Sequence, residues 1–199
     1  MSAIVALMKT DFPDIEQIKT LINCSTYMVL NTCSADGWPS LPTPVYFRQG
    51  HSLSFYWLSE VDSQHSKNIA ANDRVSGVIL DTRQLQGEGY AFYFRGPAES
   101  FNDNAIRSKS PLPPDYDEKE TMIRALCDAS NTLRGKEKLI DDPSSSKILF
   151  RVTLQQAWMN GGVYKNGEFL ERNSRVEIPI HVDRAAPVRR FFGEPVIAA

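Results

Sequence analysis

The chain has 199 residues with 22 basic and 24 acidic side chains, so its formal net charge is −2. This balance argues against a nucleic-acid-binding protein, which would carry a basic surplus. A hydrophobic fraction of 42% is ordinary for a globular protein. No apolar run approaches the roughly 18 residues of a membrane span, and the first residues do not resemble a signal peptide. We therefore expect a cytoplasmic protein that does not associate with membranes.

Hydrophobic periodicity predicts a mostly β protein. In chain order, the pattern predicts a helix over 11–24, strands over 27–33, 40–48 and 52–59 that form a meander, a helix over 62–71, strands over 75–80 and 89–101, a helix over 118–133, a strand over 147–159, a hairpin over 163–170 and a last strand from 175 to 180. Breaks are expected at Gly96-Pro97 and at Gly161-Gly162. Six or seven strands with two or three helices favour a small antiparallel barrel or sandwich with helical decoration.

Cysteine and histidine carry little chemistry in this sequence. The three cysteines are odd in number and widely spaced, which predicts neither a disulfide framework nor a zinc site. The three histidines show no helical ligand spacing, so no metal centre is expected.

Two prolines stand in the second predicted strand, at positions 42 and 44. Residues two apart direct their backbone groups to the same edge of a strand, so both prolines remove N–H donors from one edge only. Thr43 and Val45 remain able to pair on the other edge. The strand is then either an edge strand protected against aggregation or one side of an opening beside which a flat ligand lies.

The helix predicted from residue 62 begins with an unusual combination of residues. Asp62 or Ser63 can cap it, and His65 and Lys67 then lie in the first turn, where the helix dipole disfavours positive charge. Basic groups beside free N–H donors are explained by a bound anion such as a phosphate. A solvated, capped helix with Lys67 facing water is the alternative. The preceding aromatic strand, Phe55-Tyr56-Trp57, would supply a wall for a nucleotide or flavin.

The strand at 90–95 carries aromatic residues on both faces. Tyr90, Phe92 and Phe94 share one face, and Tyr93 lies on the other. Because both faces are apolar, we expect the outer one to be covered by a helix or by another subunit.

Between Tyr27 and Glu99 a series of short motifs follows in a definite order. They are Asn31-Thr32, Asp36-Gly37-Trp38-Pro39, Thr43-Pro44-Val45, Leu53-Ser54-Phe55-Tyr56, Ser63-Gln64-His65, Asn68-Ile69, Asn72-Asp73-Arg74-Val75-Ser76 and Arg95-Gly96-Pro97-Ala98-Glu99. In these motifs and their order the chain resembles the pyridoxamine 5′-phosphate oxidase-like, FMN-binding split-barrel superfamily. The resemblance implies a six-stranded antiparallel split β-barrel with flanking helices, which forms a homodimer with FMN in clefts between the subunits.

The resemblance also implies the cofactor-binding residues. They are Thr43, Pro44, Val45, Tyr56, Trp57, Ser63, Gln64 and His65, to which the helix-start argument adds Lys67. Gln64 and His65 stand where the oxidase has Arg and Lys, and Phe47 stands where it has a phosphate-binding Lys. No catalytic acid or base is assigned.

The sequence therefore predicts an FMN-binding domain over 1–180, with a loop-helix insertion at 103–135 and a C-terminal tail from 181 to 199. Its expected activity is hydride transfer between flavin and a nicotinamide donor or small substrate, with the flavin carrying the chemistry. Three alternatives use the same barrel: a haem-binding module with His65 or His181 as axial ligand, a module that stores flavin without turnover, and a reductase that uses F420. A structural dimer without a chromophore remains a further possibility.

Overall fold

The computed structural model describes residues 15–50, 53–83, 90–100, 118–137, 145–165 and 168–178. Its helices are α1 (Ile15–Cys24), α2 (Gln64–Ala71) and α3 (Glu118–Asp128). Its strands are β1 (Tyr27–Asn31), β2 (Thr43–Tyr46), β3 (Arg48–Gln49), β4 (Ser54–Glu60), β5 (Arg74–Leu80), β6 (Ala91–Ser100), β7 (Lys147–Thr153), β8 (Gln156–Lys165) and β9 (Glu168–Ile178). The predicted loop at 103–116, the tail from 181 onward, His51 and His181 lie outside the described residues.

The strands form a nearly closed antiparallel barrel in the order β2-β1-β5-β6-β7-β4-β3, with β8 pairing β6 and β9 extending from β8. Six stretches of chain build it, namely 27–31, 43–49, 54–60, 74–80, 91–100 and 147–165. The mostly β fold with flanking helices is thus confirmed. No helix in the described part of the chain is long and apolar enough to span a bilayer.

Two predicted strands turn out to be bent. The stretch predicted as 40–48 divides at Phe47 into β2, which pairs with β1, and β3, which pairs with β4. The stretch predicted as 147–159 divides at Leu154 into β7 and β8. Phe47 and Leu154 are both 2% exposed, because each corner turns its apolar side chain into the core. Because the second predicted strand is bent, the three predicted strands 27–33, 40–48 and 52–59 do not form a simple meander.

Two predicted breaks are wrong. β6 runs continuously through Gly96-Pro97 and changes neighbour there, since Arg95 pairs with β8 whereas Ala98 pairs with β7. β8 likewise continues through Gly161-Gly162, where the pairing with β9 shifts register. The last strand begins at Glu168 rather than at residue 175, and it pairs with β8 as the predicted hairpin requires.

All three predicted helices form, and α2 and α3 are shorter than predicted. The apolar stripe of α1 is buried at Ile18, Leu21 and Ile22. The predicted third helix extends to residue 133, but α3 ends at Asp128, where the Ser130 N–H donates to the Cys127 carbonyl and turns the chain. Residues 129–133 therefore form turns beyond the helix, and they contribute to the site described below.

The core has two parts on opposite sides of β4. The barrel interior is filled by aromatic side chains, with Phe55 packed edge-to-face against Phe47 at 5.3 Å and Trp57 stacked on Phe150 at 5.3 Å. A second cluster lies between the outer face of the barrel and α3 and contains Tyr56, Leu149, Met122, Ile123, Leu126 and Cys127.

The outer face of β6 is partly covered by other residues of the same chain. The Arg175 guanidinium lies 4.3 Å from the centre of the Tyr93 ring, and that of Arg95 lies 5.4 Å from the centre of the Trp158 ring. Such cation–π contacts stabilise partly exposed aromatic rings. These arginines supply part of the cover that we expected from a helix or a second subunit.

Candidate functional site

The barrel is open between β2 and β4, and we call this opening the seam. β2 stands at one end of the sheet order. The Phe47 N–H donates to the Thr26 carbonyl at 3.5 Å. The odd-numbered residues of the stretch 43–47 therefore direct their backbone groups toward β1. Pro44 and Tyr46 therefore direct theirs away from β1 and into the seam. This is the edge on which the proline spacing predicted missing N–H donors.

The other side of the seam is the second half of β4. The Gly50 N–H donates to the Ser54 carbonyl on the β3 side, and the Val61 N–H donates to the Ser146 carbonyl on the β7 side. Backbone groups of even-numbered residues therefore face β3 and the seam. Arg48 pairs with Tyr56, and continuing this register places Tyr46 opposite Leu58.

A cavity of about 360 Å³ lies at this point of the seam, and we call it the seam cavity. Tyr27, Tyr46 and Leu58 line it on the barrel side, while Leu126 and the turns at 129–133 line it on the α3 side. The rings of Tyr27 and Tyr46 meet edge-to-face at 5.9 Å, and the Arg48 guanidinium lies 4.7 Å from the centre of the Tyr46 ring.

The start of α2 follows directly from the end of β4. Ser63 is the N-cap, and its hydroxyl accepts a hydrogen bond from the Ser66 N–H. Among the described residues, the backbone N–H groups of Gln64 and His65 have no hydrogen-bond acceptor. The first turn of α2 carries no acidic residue. The end of the helix therefore offers free donors and positive potential.

A chain of hydroxyl groups fixes the ring of His65. Ser66 Oγ donates to the Glu60 carbonyl at 2.7 Å and so accepts from Ser63 Oγ at 2.7 Å. Ser63 Oγ in turn accepts from Ser59 Oγ at 3.1 Å, and Ser59 Oγ accepts from His65 Nε2 at 2.6 Å. This arrangement uses each hydroxyl proton once, so the pattern assigns the proton to Nε2.

The second ring nitrogen of His65 is the one that titrates. Nδ1 has no hydrogen-bond partner among the described residues. Burial lowers the pKa of His65 below its usual 6.5, because the charged form loses solvation. Near neutral pH the ring is therefore uncharged and Nδ1 is an acceptor, and at lower pH Nδ1 carries a proton that it can donate.

The other predicted residues of α2 have distinct positions. The Gln64 amide donates to Asn68 Oδ1 at 2.9 Å, so this side chain lies along the helix. Lys67 is exposed and has no ion-pair partner among the described residues. Asn68 is 3% exposed and its Nδ2 donates to Thr32 Oγ1 at 2.9 Å, which ties α2 to the segment between β1 and β2.

The predicted strand residues divide between the seam and the core. Thr43 and Val45 direct their backbone toward β1, and the Val45 side chain is buried. Trp57 and Tyr56 are both fully buried, Trp57 inside the barrel and Tyr56 beneath α3. Of the predicted strand residues, Pro44 alone combines an exposed side chain with a backbone that faces the seam.

Tyr46 and Leu58 were not predicted from the sequence as site residues. The proline spacing contained a signal for Tyr46, since it is two residues beyond Pro44 and therefore on the same edge. The position of Phe47, where the resembling family has a lysine, is buried in the core and edge-to-face with Phe55. It supplies no charge to the site.

The chain therefore has the fold of a nearly closed antiparallel barrel with flanking helices, with a capped helix start beside an open seam. The chain belongs to the pyridoxamine 5′-phosphate oxidase family, whose model matches residues 15–181. No curated protein matches the chain.

Several solved structures share the fold. The haem storage protein HutZ from Vibrio cholerae is 18% identical with a TM-score of 0.56, over 76% of this chain and 96% of that one. A haem-binding protein from Mycobacterium smegmatis is 17% identical with a TM-score of 0.52, over 83% of this chain and 59% of that one. A conserved hypothetical protein from Mycobacterium tuberculosis is 14% identical with a TM-score of 0.53, over 74% and 84%. At these identities the likeness concerns the fold alone.

Proposed function

We propose that the protein is a cytoplasmic oxidoreductase that binds FMN and transfers hydride between the flavin and a nicotinamide donor or small substrate. The observation that carries this proposal is the free donor set at the start of α2, which directly follows the strand that borders the seam. A flat ring and a phosphate are the two ends of FMN, joined by a ribityl chain, and these two features would accommodate them.

The donor set fits a phosphate. The free N–H groups of Gln64 and His65 can donate to phosphate oxygens, as helix N-termini commonly do. Lys67 adds a positive charge without a competing ion pair among the described residues. His65 can donate from Nδ1 when it is protonated. In this proposal Ser63 holds the helix start in place and Gln64 contributes its backbone rather than its side chain.

The seam fits a flat ring along the edge formed by Pro44 and Tyr46. Because Pro44 has no N–H, no further strand can form a full ladder there, and the edge stays open to a ligand. When bound, the flavin would supply the capacity to accept and return hydride. The residues of the chain would bind the phosphate, orient the ring and offer backbone groups to its edge.

The first test is the absorption spectrum of the purified protein with and without added FMN, followed by addition of NADH or NADPH. A flavin band that the nicotinamide bleaches supports the proposal. Flavin binding without bleaching would support storage, and no flavin binding would contradict the assignment of FMN.

A double variant tests the phosphate position. His65→Ala with Lys67→Ala should weaken FMN at least about tenfold, because a hydrogen bond from the charged Lys67 ammonium to the phosphate contributes about 1.5–3 kcal/mol. Below the pKa of His65 the loss should be larger, since the protonated ring then adds a second donor. Lys136→Ala is the matched control, since Lys136 is also exposed but lies beyond α3. Unchanged FMN affinity in the double variant would refute the phosphate site.

Haem binding is the second candidate function. His65 Nδ1 has no partner among the described residues and could ligate iron, and two structures that share the fold are named as haem proteins. A Soret band in the protein reconstituted with haem, lost in His65→Ala, would support this candidate. A deazaflavin spectrum after incubation with F420, without FMN binding, would instead favour an F420-dependent reductase.

We also propose that the protein is a homodimer, as the resemblance to the FMN-binding barrels implies. Multi-angle light scattering of the purified protein tests this directly. A mass of twice 22.4 kDa is expected, and a monomer at micromolar concentration would contradict it.

A further inference from the structure

We infer that the seam cavity is a binding site for an uncharged compound of one or two aromatic rings, next to the edge of β2 along which the flavin ring is proposed to lie. Its use as a substrate site rests on the proposed function, whereas the binding of a ring does not. Three features of the cavity carry this inference: its size, the absence of charge in its lining, and the chemistry of its two walls.

The size of the cavity is sufficient for a small aromatic ligand. A closed cavity of about 150 Å³ holds one benzene ring. The seam cavity measures about 360 Å³. It therefore has room for one ring or two fused rings.

The lining favours an uncharged ligand. Its residues are Thr26, Tyr27, Tyr46, Leu58, Leu126 and the turn residues 129–133, and none of them carries a formal charge. The cavity also lies at the C-terminal end of α3, where the helix dipole is negative, and the nearby Arg134 guanidinium is occupied by the Asp128 carbonyl at 3.0 Å. The Arg48 guanidinium lies against the Tyr46 ring and donates to the Phe47 carbonyl at 3.4 Å. An anion such as the FMN phosphate would therefore find no cation within the lining itself.

The two walls differ in a way that suits a substituted ring. On the barrel side, Tyr27 and Tyr46 present ring surfaces, and rings of this kind attract another aromatic ring edge-on or offset. On the α3 side, Ser130 and Thr132 place their hydroxyl oxygens 3.1 Å apart, next to the amide of Asn131. A few polar groups opposite an apolar wall orient a ligand that carries a carbonyl, amide or hydroxyl substituent.

The seam cavity and the proposed position of the phosphate lie on opposite faces of β4. Leu58 lines the cavity, whereas the next residue, Ser59, points to the opposite side of β4 and contacts His65. The start of α2, where the phosphate would lie, therefore does not border the cavity. A ring bound in the cavity could still lie beside a flavin that follows the edge of β2.

The test compares nicotinamide with nicotinate, which share one ring and differ in charge. Binding is measured by saturation-transfer NMR with flavin-free protein and again with protein saturated with FMN. Nicotinamide should bind in both states, and nicotinate should bind at least tenfold more weakly. Equal binding of the two compounds, or displacement of nicotinamide by FMN, would overturn the inference.

A variant that fills the cavity localises the binding. Ala129→Phe introduces a ring into the lining at an exposed position beyond α3 and should weaken nicotinamide at least fivefold. Ala35→Phe, in the exposed turn between β1 and β2, is the matched control and should bind as the original protein does. Nicotinamide binding that survives in Ala129→Phe would refute the site. Failure to bind FMN would contradict the proposed function alone, because the flavin-free measurements stand without it.

Discussion

His65 Nε2 lies 2.6 Å from the hydroxyl oxygen of Ser59, which connects the first turn of α2 to the end of β4. This contact begins a chain of hydroxyl groups that ends at the Glu60 carbonyl. It orients the His65 ring so that Nδ1, which has no hydrogen-bond partner among the described residues, is the nitrogen that gains a proton as the pH falls. The same contact therefore affects both the stability of the start of α2 and its affinity for an anion.

The pH dependence of stability follows from His65. Its pKa in the folded protein is lowered from 6.5 by burial, so below about pH 6.5 the unfolded chain binds more protons than the folded one. The contribution of His65 to stability is therefore complete above pH 6.5 and is lost as the pH falls through the folded pKa. Thermal unfolding is measured at pH 7.5 and 5.5. The original protein should lose more stability between these two pH values than the His65→Gln variant does. Equal losses in the two proteins would contradict this.

The affinity for FMN should show the opposite dependence on pH. Protonation of His65 adds a donor and a positive charge beside the proposed phosphate position, so FMN should bind more tightly as the pH falls through the His65 pKa. Titrations between pH 8 and 5.5 measure this. His65→Gln should remove most of the trend, and a trend that persists unchanged in this variant would assign it to another group.

Substitution of Ser63 separates capping from binding. Ser63→Ala should lower the free energy of unfolding by about 1 kcal/mol, because it removes an N-cap. Ser63→Asp should keep the cap, since aspartate is an equally good N-cap residue, but its carboxylate should repel the phosphate and weaken FMN. Urea unfolding and FMN titration measure the two effects. If Ser63→Asp bound FMN as tightly as the original protein, the phosphate would not lie at α2.

Asn68 should contribute more to stability than its position on a short helix suggests. Asn68→Ala removes the donor to Thr32, which is itself 4% exposed and hydrogen-bonded to Ser40 at 2.7 Å. Leaving a buried partner with fewer hydrogen bonds costs about 1–3 kcal/mol. Gln64→Ala, which removes an exposed partner of Asn68, should cost about 0.5 kcal/mol or less. Urea unfolding of both variants gives the comparison, and similar costs would contradict the role of Asn68.

Gly96 should not tolerate a side chain. A Cβ at this position would overlap the Thr153 carbonyl oxygen, which belongs to the backbone and cannot move aside. Gly96→Ala should therefore lower the free energy of unfolding by about 3 kcal/mol or more. Gly135→Asn is the control, because Gly135 has a φ of +76° with open space around it and asparagine adopts that region readily. A stable Gly96→Ala variant would contradict the close approach of β6 to the β7–β8 corner.

Local sequence patterns were sufficient to predict the fold class and the open edge of β2. The 3.6-residue spacing of Ile18, Leu21 and Ile22 identified α1, since a helix buries one stripe whatever it packs against. The spacing of Pro42 and Pro44 identified the open edge of β2, because the missing N–H groups are a covalent property. The N-cap at Ser63 was one of two residues proposed, and its hydroxyl is the one that bonds the helix.

Other features depend on contacts between distant segments. The corners at Phe47 and Leu154 cannot be seen in the sequence, because an apolar run stays apolar whether the strand bends or not. Tyr56 and Trp57 were expected at the cofactor because the family resemblance implied them, and their side chains are buried on opposite faces of β4. The pleat and the packing of α3 decide which aromatic ring is available.

The sequence by itself determined a near-neutral, mostly β chain and a helix start with free donors, because these follow from composition, periodicity and local hydrogen bonding. Its family was indicated by the resemblance of its ordered motifs to known proteins. The tertiary structure alone decided that Tyr46 and Leu58 meet across the seam, that residues 129–133 close a cavity over them, and that His65 is held by Ser59. Each of these depends on which segments meet in space, and a pairing of that kind leaves no local pattern along the chain.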